Sequence, residues 1–470
     1  MKKELTSKQF AFMMFNYVVG FGFLTTIGTV IKLGSWGILV FFATAFIAFG
    51  VMLTFSRLSA YAPETKGASY GYAKLAFDEK KKLGKSMIFM QGWNQYMQGP
   101  ILGVTAPLFL ESILKDAWPD QWVVWKILSI AIFVLFIALS LFRFKKVFKI
   151  ISFIASIKWV IIALAFILSI YLSARHEGFS HNWLSSDKAT ASTLTGAMLS
   201  FMFAFGGIEG VAAMVNKVET KGVKKTFFWT FIAILTFYFI FYIVLFIIDK
   251  TIFKGDLFKE IYNISFGVTG IVLFSIGFVA NKASSIVNSA VINAELLTPL
   301  SEDKYFPEWI AVKNKDGVSR RAILLSASIT LLMMTLFQII QIWVDQDNPF
   351  LNVVNIGTIA FFVQYFFTAI SLIILLAQKK LKVPTWEMIA IYIMMLAIVF
   401  ILLTQMIPPV VGDSFSTSTY VIDVSFFGFM GLGFAVWGIN SLVKNWHSFS
   451  SAIRTLSHRV TTKIWSNKKK

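Results

Sequence analysis

The sequence predicts an all-α integral membrane protein with about twelve transmembrane helices, and three observations lead to that prediction. Of the 470 residues, 57% are hydrophobic, and the mean hydropathy is +0.72. Both values are well above those of soluble globular proteins. Apolar runs of about 20 residues, the length that crosses a ~30 Å hydrocarbon core, recur along the whole chain. Lys and Arg residues favour alternate connections between these runs, by about four to one.

The apolar runs divide the chain into a regular series of spans. We assign them to residues 11–31, 35–57, 87–113, 122–142, 148–172, 194–216, 226–248, 264–294, 322–344, 351–377, 386–407 and 418–443. Most of the ten prolines fall in the connections, where a helix can end without cost. Only Pro100 and Pro107 interrupt a span, the third, and we expect them to bend or kink it.

The charge distribution predicts the orientation and excludes several function classes. The basic connections belong inside, so both termini are expected on the cytoplasmic side of the cell membrane. The net charge of +19 is therefore a topology signal that suits an anionic inner leaflet, and no nucleic-acid partner is expected. The chain has no Cys, its four His lie outside the spans, and it shows no phosphate-binding loop or nucleophile elbow. We expect neither an enzyme nor a bound cofactor or metal.

The spans also predict an internal repeat within a single polytopic membrane domain, 1–470. Spans one to five (11–172) and six to ten (194–377) each open with a glycine-interrupted segment. An odd number of spans per set places the two sets in opposite orientations, as in the inverted repeats of secondary transporters. Spans eleven and twelve (386–443) are expected at the periphery, followed by a basic cytoplasmic tail (444–470).

The first glycine interruption lies at Gly20, Phe21 and Gly22. Unwinding there would free the N–H groups that begin the following half-helix, and such a terminus favours a carboxylate. Glycines at this spacing also allow another helix to approach closely, and both interpretations stay open for this segment alone.

The second interruption comprises Phe203, Ala204, Phe205, Gly206 and Gly207. Unwinding at the glycines would turn the preceding carbonyl groups toward a cavity, where they could accept hydrogen bonds from an ammonium group. Phe203 and Phe205 either cover a bound molecule or face lipid. The two interruptions together complement the two charged ends of an α-amino acid.

Three titratable residues are of interest because they lie well inside the spans. Glu209 follows the second interruption, and it either holds a proton or ties the loop together by hydrogen bonds. Lys158 lies about 15 Å deep, too far for its side chain to reach water, so it either releases a proton near neutral pH or is permanently paired. Lys282, in the eighth span, either lines a cavity or is a structural pair.

These motifs resemble those of the amino acid–polyamine–organocation superfamily of permeases, over essentially the full length. The segment from Phe203 through Glu209 is similar to the aromatic–small–aromatic–x–Gly–aliphatic–Glu motif of the sixth span. Gly20–Phe21–Gly22 resembles the Gly-small-Gly break of the first span, except that Phe21 replaces the small residue. Around the eighth-span exit, Glu295 replaces the usual Arg and Ser319 the usual Pro.

The resemblance implies a LeuT-type fold of two five-helix inverted repeats and a role for each site residue. The substrate carboxylate would bind the backbone of Gly20, Phe21 and Gly22. The amine would meet the carbonyl groups of Phe203, Ala204 and Gly206, and Phe203 would be an aromatic gate. Lys158 matches a fifth-span lysine that replaces a coupling ion in sodium-independent members, where it contacts eighth-span hydroxyls such as Ser284 and Ser285. The Phe21 ring would narrow the pocket and favour smaller substrates.

The sequence thus predicts a secondary active amino acid transporter that works by alternating access in the lipid bilayer, sodium-independent and either proton-coupled or exchanging. The alternatives are a transporter-like sensor that binds an amino acid without moving it, and a sodium-coupled symporter. Glu209 would suit a cationic substrate and Lys282 an anionic one, so the amino acid stays open. The oligomeric state stays open as well.

Overall fold

The computed structural model describes residues 6–140, 144–184, 189–218, 222–253, 255–314, 319–343 and 349–467, and across these ranges the fold is built from helices. The first nine α-helices are α1 (Ser7–Val18), α2 (Phe21–Lys32), α3 (Trp36–Tyr61), α4 (Ser69–Ala76), α5 (Lys82–Gly103), α6 (Thr105–Ala117), α7 (Trp122–Ser140), α8 (Phe144–Arg175) and α9 (Phe179–Leu184). The next nine are α10 (Ala191–Met202), α11 (Ile208–Ala212), α12 (Val223–Ile247), α13 (Leu257–Phe266), α14 (Val268–Glu302), α15 (Arg320–Trp343), α16 (Pro349–Ala377), α17 (Thr385–Met406) and α18 (Thr417–Asn467).

The helices confirm the predicted class of a multi-span membrane protein. Within the described ranges, ten helices are long and apolar enough to cross a bilayer, and the bent pair α1–α2 adds an eleventh. The helix α14 contributes a further apolar stretch, Val268–Ala283. Each of the twelve predicted spans corresponds to a helix or to a broken pair of helices.

Three of the predicted helix boundaries differ from those of the structure. The eighth span does not begin at residue 264, because Gly267 adopts a φ of +59° and separates the short helix α13 from α14. At its other end α14 continues through Pro299, which removes one intrahelical hydrogen bond without ending the helix. The helix α18 also continues beyond residue 443, through most of the segment assigned to the tail.

The core lies where the two broken spans meet the walls built from α5, α8, α14 and α16. The helix α2 packs on α10 and on the 3₁₀ turn Phe203–Phe205, while α14 packs on α5 and α8. Small residues allow the closest approaches: a Cβ atom on Gly277 of α14 would lie 2.5 Å from the Ile161 side chain of α8. Glycine at this position therefore brings two wall helices together.

Ion pairs lie at both ends of the helix bundle. At one end, Glu387 contacts Arg57 at 2.5 Å and Lys224 at 3.1 Å, joining the ends of α3, α12 and α17. At the other end, the Lys259 ammonium on α13 lies 2.7 Å from the Asp116 carboxylate on α6. The helix α13 also packs on α2 and α14, so it covers this end of the bundle over the broken first span.

Candidate functional site

The first span is broken between α1 and α2, whose axes diverge by 51°. Val19 and Gly20 are extended, and Gly20 occupies the N-cap position of α2, where it has no side chain to bind the first N–H groups. A helix leaves its first four N–H groups without intrahelical partners. The start of α2 therefore presents hydrogen-bond donors and the positive end of a helix dipole.

The second break separates α10 from α11 and contains the 3₁₀ turn Phe203–Phe205. Gly207 has a φ of +116°, a left-handed conformation that disfavours any side chain. A Cβ atom there would also lie 2.7 Å from the Tyr17 ring, and one on Gly206 would lie 2.8 Å from the Phe361 ring. Both glycines are thus required by backbone conformation or by packing.

The two breaks lie in direct contact. A Cβ atom on Gly22 would lie 2.8 Å from the Phe203 carbonyl oxygen. Glycine at this position therefore allows α2 and the second break to approach closely, which is one of the two interpretations of the Gly20–Gly22 motif. The Tyr238 hydroxyl lies 2.8 Å from the Ala204 carbonyl oxygen and 3.1 Å from that of Val18. One tyrosine therefore joins the chain at both breaks, with its single O–H directed at carbonyl groups of both.

A cavity of about 230 Å³ opens beside the joined breaks. Its wall includes eight of the residues predicted from the sequence, which are Gly20, Phe21, Gly22, Phe203, Gly206, Gly207, Glu209 and Lys158. Ala204 and Phe205 are buried behind this wall, where the Phe205 ring packs on those of Phe201 and Tyr238. The cavity thus offers donors from α2 and exposed backbone from the second break to one small ligand.

Lys158 projects from α8 to the end of α1. Its Nζ donates a hydrogen bond to the Asn16 carbonyl oxygen at 2.8 Å and lies 3.4 Å from the Asn16 Oδ1. The ammonium also lies 5.0 Å from the centre of the Trp159 ring, a cation–π contact. Among the described residues no carboxylate is within 4.0 Å of Nζ, so the structure gives Lys158 no ion-pair partner there, and its release of a proton stays a prediction.

Glu209 ties the second break to α16. Both carboxylate oxygens accept the Gly207 N–H, at 2.9 and 3.2 Å, and Oε2 accepts the Tyr365 hydroxyl at 2.8 Å. The side chain is 6% exposed and lines the cavity. These contacts are those expected if Glu209 ties the loop together by hydrogen bonds. That Glu209 also holds a proton stays a prediction.

Lys282 also lines the cavity, on α14. Its Nζ lies 3.4 Å from the Thr105 hydroxyl and 5.7 Å from the centre of the Phe278 ring. No carboxylate of the described residues forms an ion pair with it. Of the two alternatives given for Lys282, its position therefore fits a residue that lines the cavity.

The Phe21 ring, which belongs to the cavity wall, packs into an aromatic cluster. It packs edge-on against Phe278 at 4.3 Å between ring centres, and against Phe109 at 5.7 Å. Each such pair contributes about 0.5–1.5 kcal/mol beyond the burial of apolar area. This packing joins the start of α2 to α6 and α14, which explains how a bulky residue fits between the two glycines.

Comparisons with known proteins agree with this architecture. A family model described as amino acid permease matches residues 5–432. The chain belongs to the amino acid permease family, within the amino acid–polyamine–organocation superfamily.

Three relatives show how far the similarity of this permease extends. It is 30% identical to the uncharacterized protein MG226 homolog of Mycoplasma pneumoniae, over 93% of this chain and 94% of the relative. It is 27% identical to the uncharacterized protein MG225 of Mycoplasma genitalium, over 92% and 93%. It is also 24% identical to the arginine/agmatine antiporter of Chlamydia pneumoniae, over 71% of this chain and 72% of that protein.

Sequence reasoning missed several residues that complete the site of this permease. Tyr17, Tyr238 and Tyr365 hold the breaks, and Asn16 receives the lysine ammonium. Their signal in the sequence is weak, because tyrosine and asparagine occur in many spans. The side chains of Ser284 and Ser285, the predicted hydroxyl partners of the lysine, lie outside the described part of the chain.

Proposed function

We propose that this permease is a secondary active transporter that moves amino acids across the cell membrane by alternating access, with both termini cytoplasmic. The observation that carries the proposal is the contact between the two helix breaks at one cavity. Helix breaks in a membrane are tolerated where they face protein or a water-filled cavity, and paired breaks mark transporter substrate sites. The pseudo-symmetry of 11–172 and 194–377 as inverted repeats is part of this proposal.

We assign the two ends of the amino acid to the two breaks. The carboxylate binds the N–H groups of Gly20, Phe21 and Gly22, where the α2 dipole favours an anion. The ammonium binds carbonyl groups of Phe203 and Gly206, while the Ala204 carbonyl is already engaged by a tyrosine hydroxyl. The half-buried Phe203 ring lines the cavity and covers the bound molecule.

Lys158 supports transport without sodium. Its ammonium already donates to a carbonyl group at the end of α1, where a coupling cation would need oxygen ligands. A resident positive charge at this point makes a sodium ion unnecessary and unfavourable. Proton coupling or exchange then drives transport, with Glu209, Ser284 and Ser285 assigned to the coupling machinery. The similarity to an arginine/agmatine antiporter supports exchange.

The test is uptake by proteoliposomes that contain the purified protein. Labelled amino acids should accumulate in vesicles whose buffers contain choline in place of sodium. Faster uptake with acid outside indicates proton coupling, whereas faster uptake into vesicles preloaded with unlabelled amino acid indicates exchange. A strict need for sodium would contradict the assignment of Lys158, and binding without any flux would identify a sensor instead.

A further inference from the structure

One amide on the cavity wall lacks hydrogen-bond partners. Gln95 lies on α5, is 2% exposed and lines the cavity. Within the described ranges, neither its Nε2 nor its Oε1 has a hydrogen-bond partner. A buried polar group without a partner destabilises the protein, and a ligand that pairs with it removes that cost. We propose that Gln95 recognises the substrate side chain and that the preferred substrates are the carboxamide amino acids, asparagine and glutamine.

The neighbouring amides of α5 show that this is not a general property of the helix. The Nδ2 of Asn94 donates to the Ala360 carbonyl at 2.8 Å, and the Nε2 of Gln98 donates to Gln364 at 2.7 Å. One turn earlier, Gln91 exchanges hydrogen bonds with Ser371 at 3.3 and 3.4 Å. Each of these amides is held against α16, so Gln95 alone among these four leaves both its donor and its acceptor for a ligand.

Gln95 lies at the level of the second break. Asn94 and Gln98, its neighbours on α5, both donate to the Ala360 carbonyl oxygen. The next residue of α16, Phe361, lies against Gly206 and lines the cavity. An amino acid held by the two breaks can therefore extend its side chain along the cavity wall toward Gln95.

Two glycines and a second amide lie on the same wall as Gln95. Gly99 and Gly103 follow Gln95 at spacings of four residues, so they lie along one face of α5. All three line the cavity, together with Asn293 of α14. A Cβ atom on Gly99 would lie 2.2 Å from the Asn293 amide, so this glycine lets a second amide pack against α5 one turn from Gln95.

The charged groups of the cavity do not compete for this position. Lys158 and Glu209 are engaged by backbone and tyrosine groups. Lys282 contacts Thr105, ten residues beyond Gln95 along α5 and α6, a rise of about 15 Å. The end of the cavity near Gln95 therefore calls for an uncharged side chain.

A carboxamide matches both orphaned atoms of Gln95. Its N–H donates to Oε1 while its carbonyl accepts from Nε2, as in a paired amide ring. A carboxylate would satisfy only the donor and a guanidinium only the acceptor. When an apolar analogue occupies such a site, the polar groups of the site stay without hydrogen-bond partners. The site therefore binds that analogue much more weakly than the carboxamide.

This inference rests on the proposed function, and the experiment compares two matched variants. Gln95→Met removes the amide at nearly constant volume, and Gln91→Met does the same one turn away and off the cavity. The measured quantity is the ratio of apparent affinities for glutamine and methionine, from competition of proteoliposome uptake. We expect the wild type and Gln91→Met to prefer glutamine over methionine. In Gln95→Met this preference should be about tenfold smaller, because two hydrogen bonds to the substrate are lost.

Ligand-induced thermal stabilisation in detergent gives the same ratio without flux. Binding of glutamine without uptake would overturn the proposed function, while the Gln95→Met ratio would still test this inference. An unchanged ratio in Gln95→Met would overturn the role of Gln95. A wild-type preference for aspartate and glutamate, or for arginine and lysine, would overturn the carboxamide assignment and direct attention to Lys282 or Glu209.

Discussion

Replacing Lys158 by Met tests the coupling role most sharply, because the side chains are similar in length and only the charge and its hydrogen bonds are lost. The ammonium donates to the Asn16 carbonyl at 2.8 Å. A hydrogen bond to a charged group contributes about 1.5–3 kcal/mol, which corresponds to about a 10- to 100-fold change in an equilibrium. We expect initial uptake rates in proteoliposomes to fall by at least tenfold, while the protein remains folded.

A neighbouring side chain provides the matched control. The Trp159 indole donates to the Asn16 Oδ1 at 2.9 Å, a neutral hydrogen bond. Trp159→Phe removes that bond but keeps Lys158, and we expect a loss of only about 2- to 10-fold. Thermal unfolding in detergent separates loss of function from loss of fold. Uptake by Lys158→Met at the wild-type rate would refute the reasoning, because the buried cation would then have no part in transport.

The remaining predictions concern the breaks and the α13 connection. Gly22→Ala should reduce uptake at least tenfold, because its Cβ would lie 2.8 Å from a carbonyl oxygen of the second break. Gly428→Ala should leave uptake unchanged, because no atom of the described residues lies within 4 Å of the added Cβ. Glu209→Gln should lower the unfolding free energy by about 1.5–3 kcal/mol and Tyr365→Phe by less, and equal thermal stability of all three proteins would contradict this. Burial raises the pKa of Asp256, which precedes α13, to about 6. Its neutral form therefore stabilises the fold at low pH, and this contribution is lost as pH rises through 6. Asp256→Asn should remove that part of the pH dependence between pH 4.5 and 7, and an unaltered profile would show that Asp256 is already charged at the lower pH.

The breaks could be predicted from the sequence because the conformational freedom of glycine is a local property. The structure unwinds the chain at Gly20 and at Gly206–Gly207, and the left-handed φ of Gly207 shows why glycine occupies that position. The burial of Lys158 could be predicted for a similar reason, since its depth follows from counting residues along one span.

The partners of these residues could not be predicted, because they come from distant parts of the chain. Tyr365 reaches Glu209 across 156 positions, and Lys158 reaches Asn16 across 142. Such contacts depend on how the helices pack, which no local pattern encodes. The same reason applies to Gln95, which looks like its neighbours on α5 in the sequence but has no hydrogen-bond partner among the described residues.

The boundaries of the eighth span were predicted incorrectly for a different reason. Hydropathy places the start of the eighth span at 264, but Gly267 ends α13 and turns the chain before α14 begins. Hydropathy averages over a window and cannot see a single left-handed residue. Pro299 shows the opposite case, in which a residue that usually ends a helix lies within one.

The central claim is that the joined breaks bind an amino acid and move it across the membrane without sodium. The most direct measurement is uptake of a panel of labelled amino acids by proteoliposomes in sodium-free choline buffer, with empty liposomes as the control. We predict saturable uptake of at least one amino acid, competed best by glutamine or asparagine. Absence of uptake for every amino acid of the panel, or uptake that appears only when sodium is added, would contradict the account.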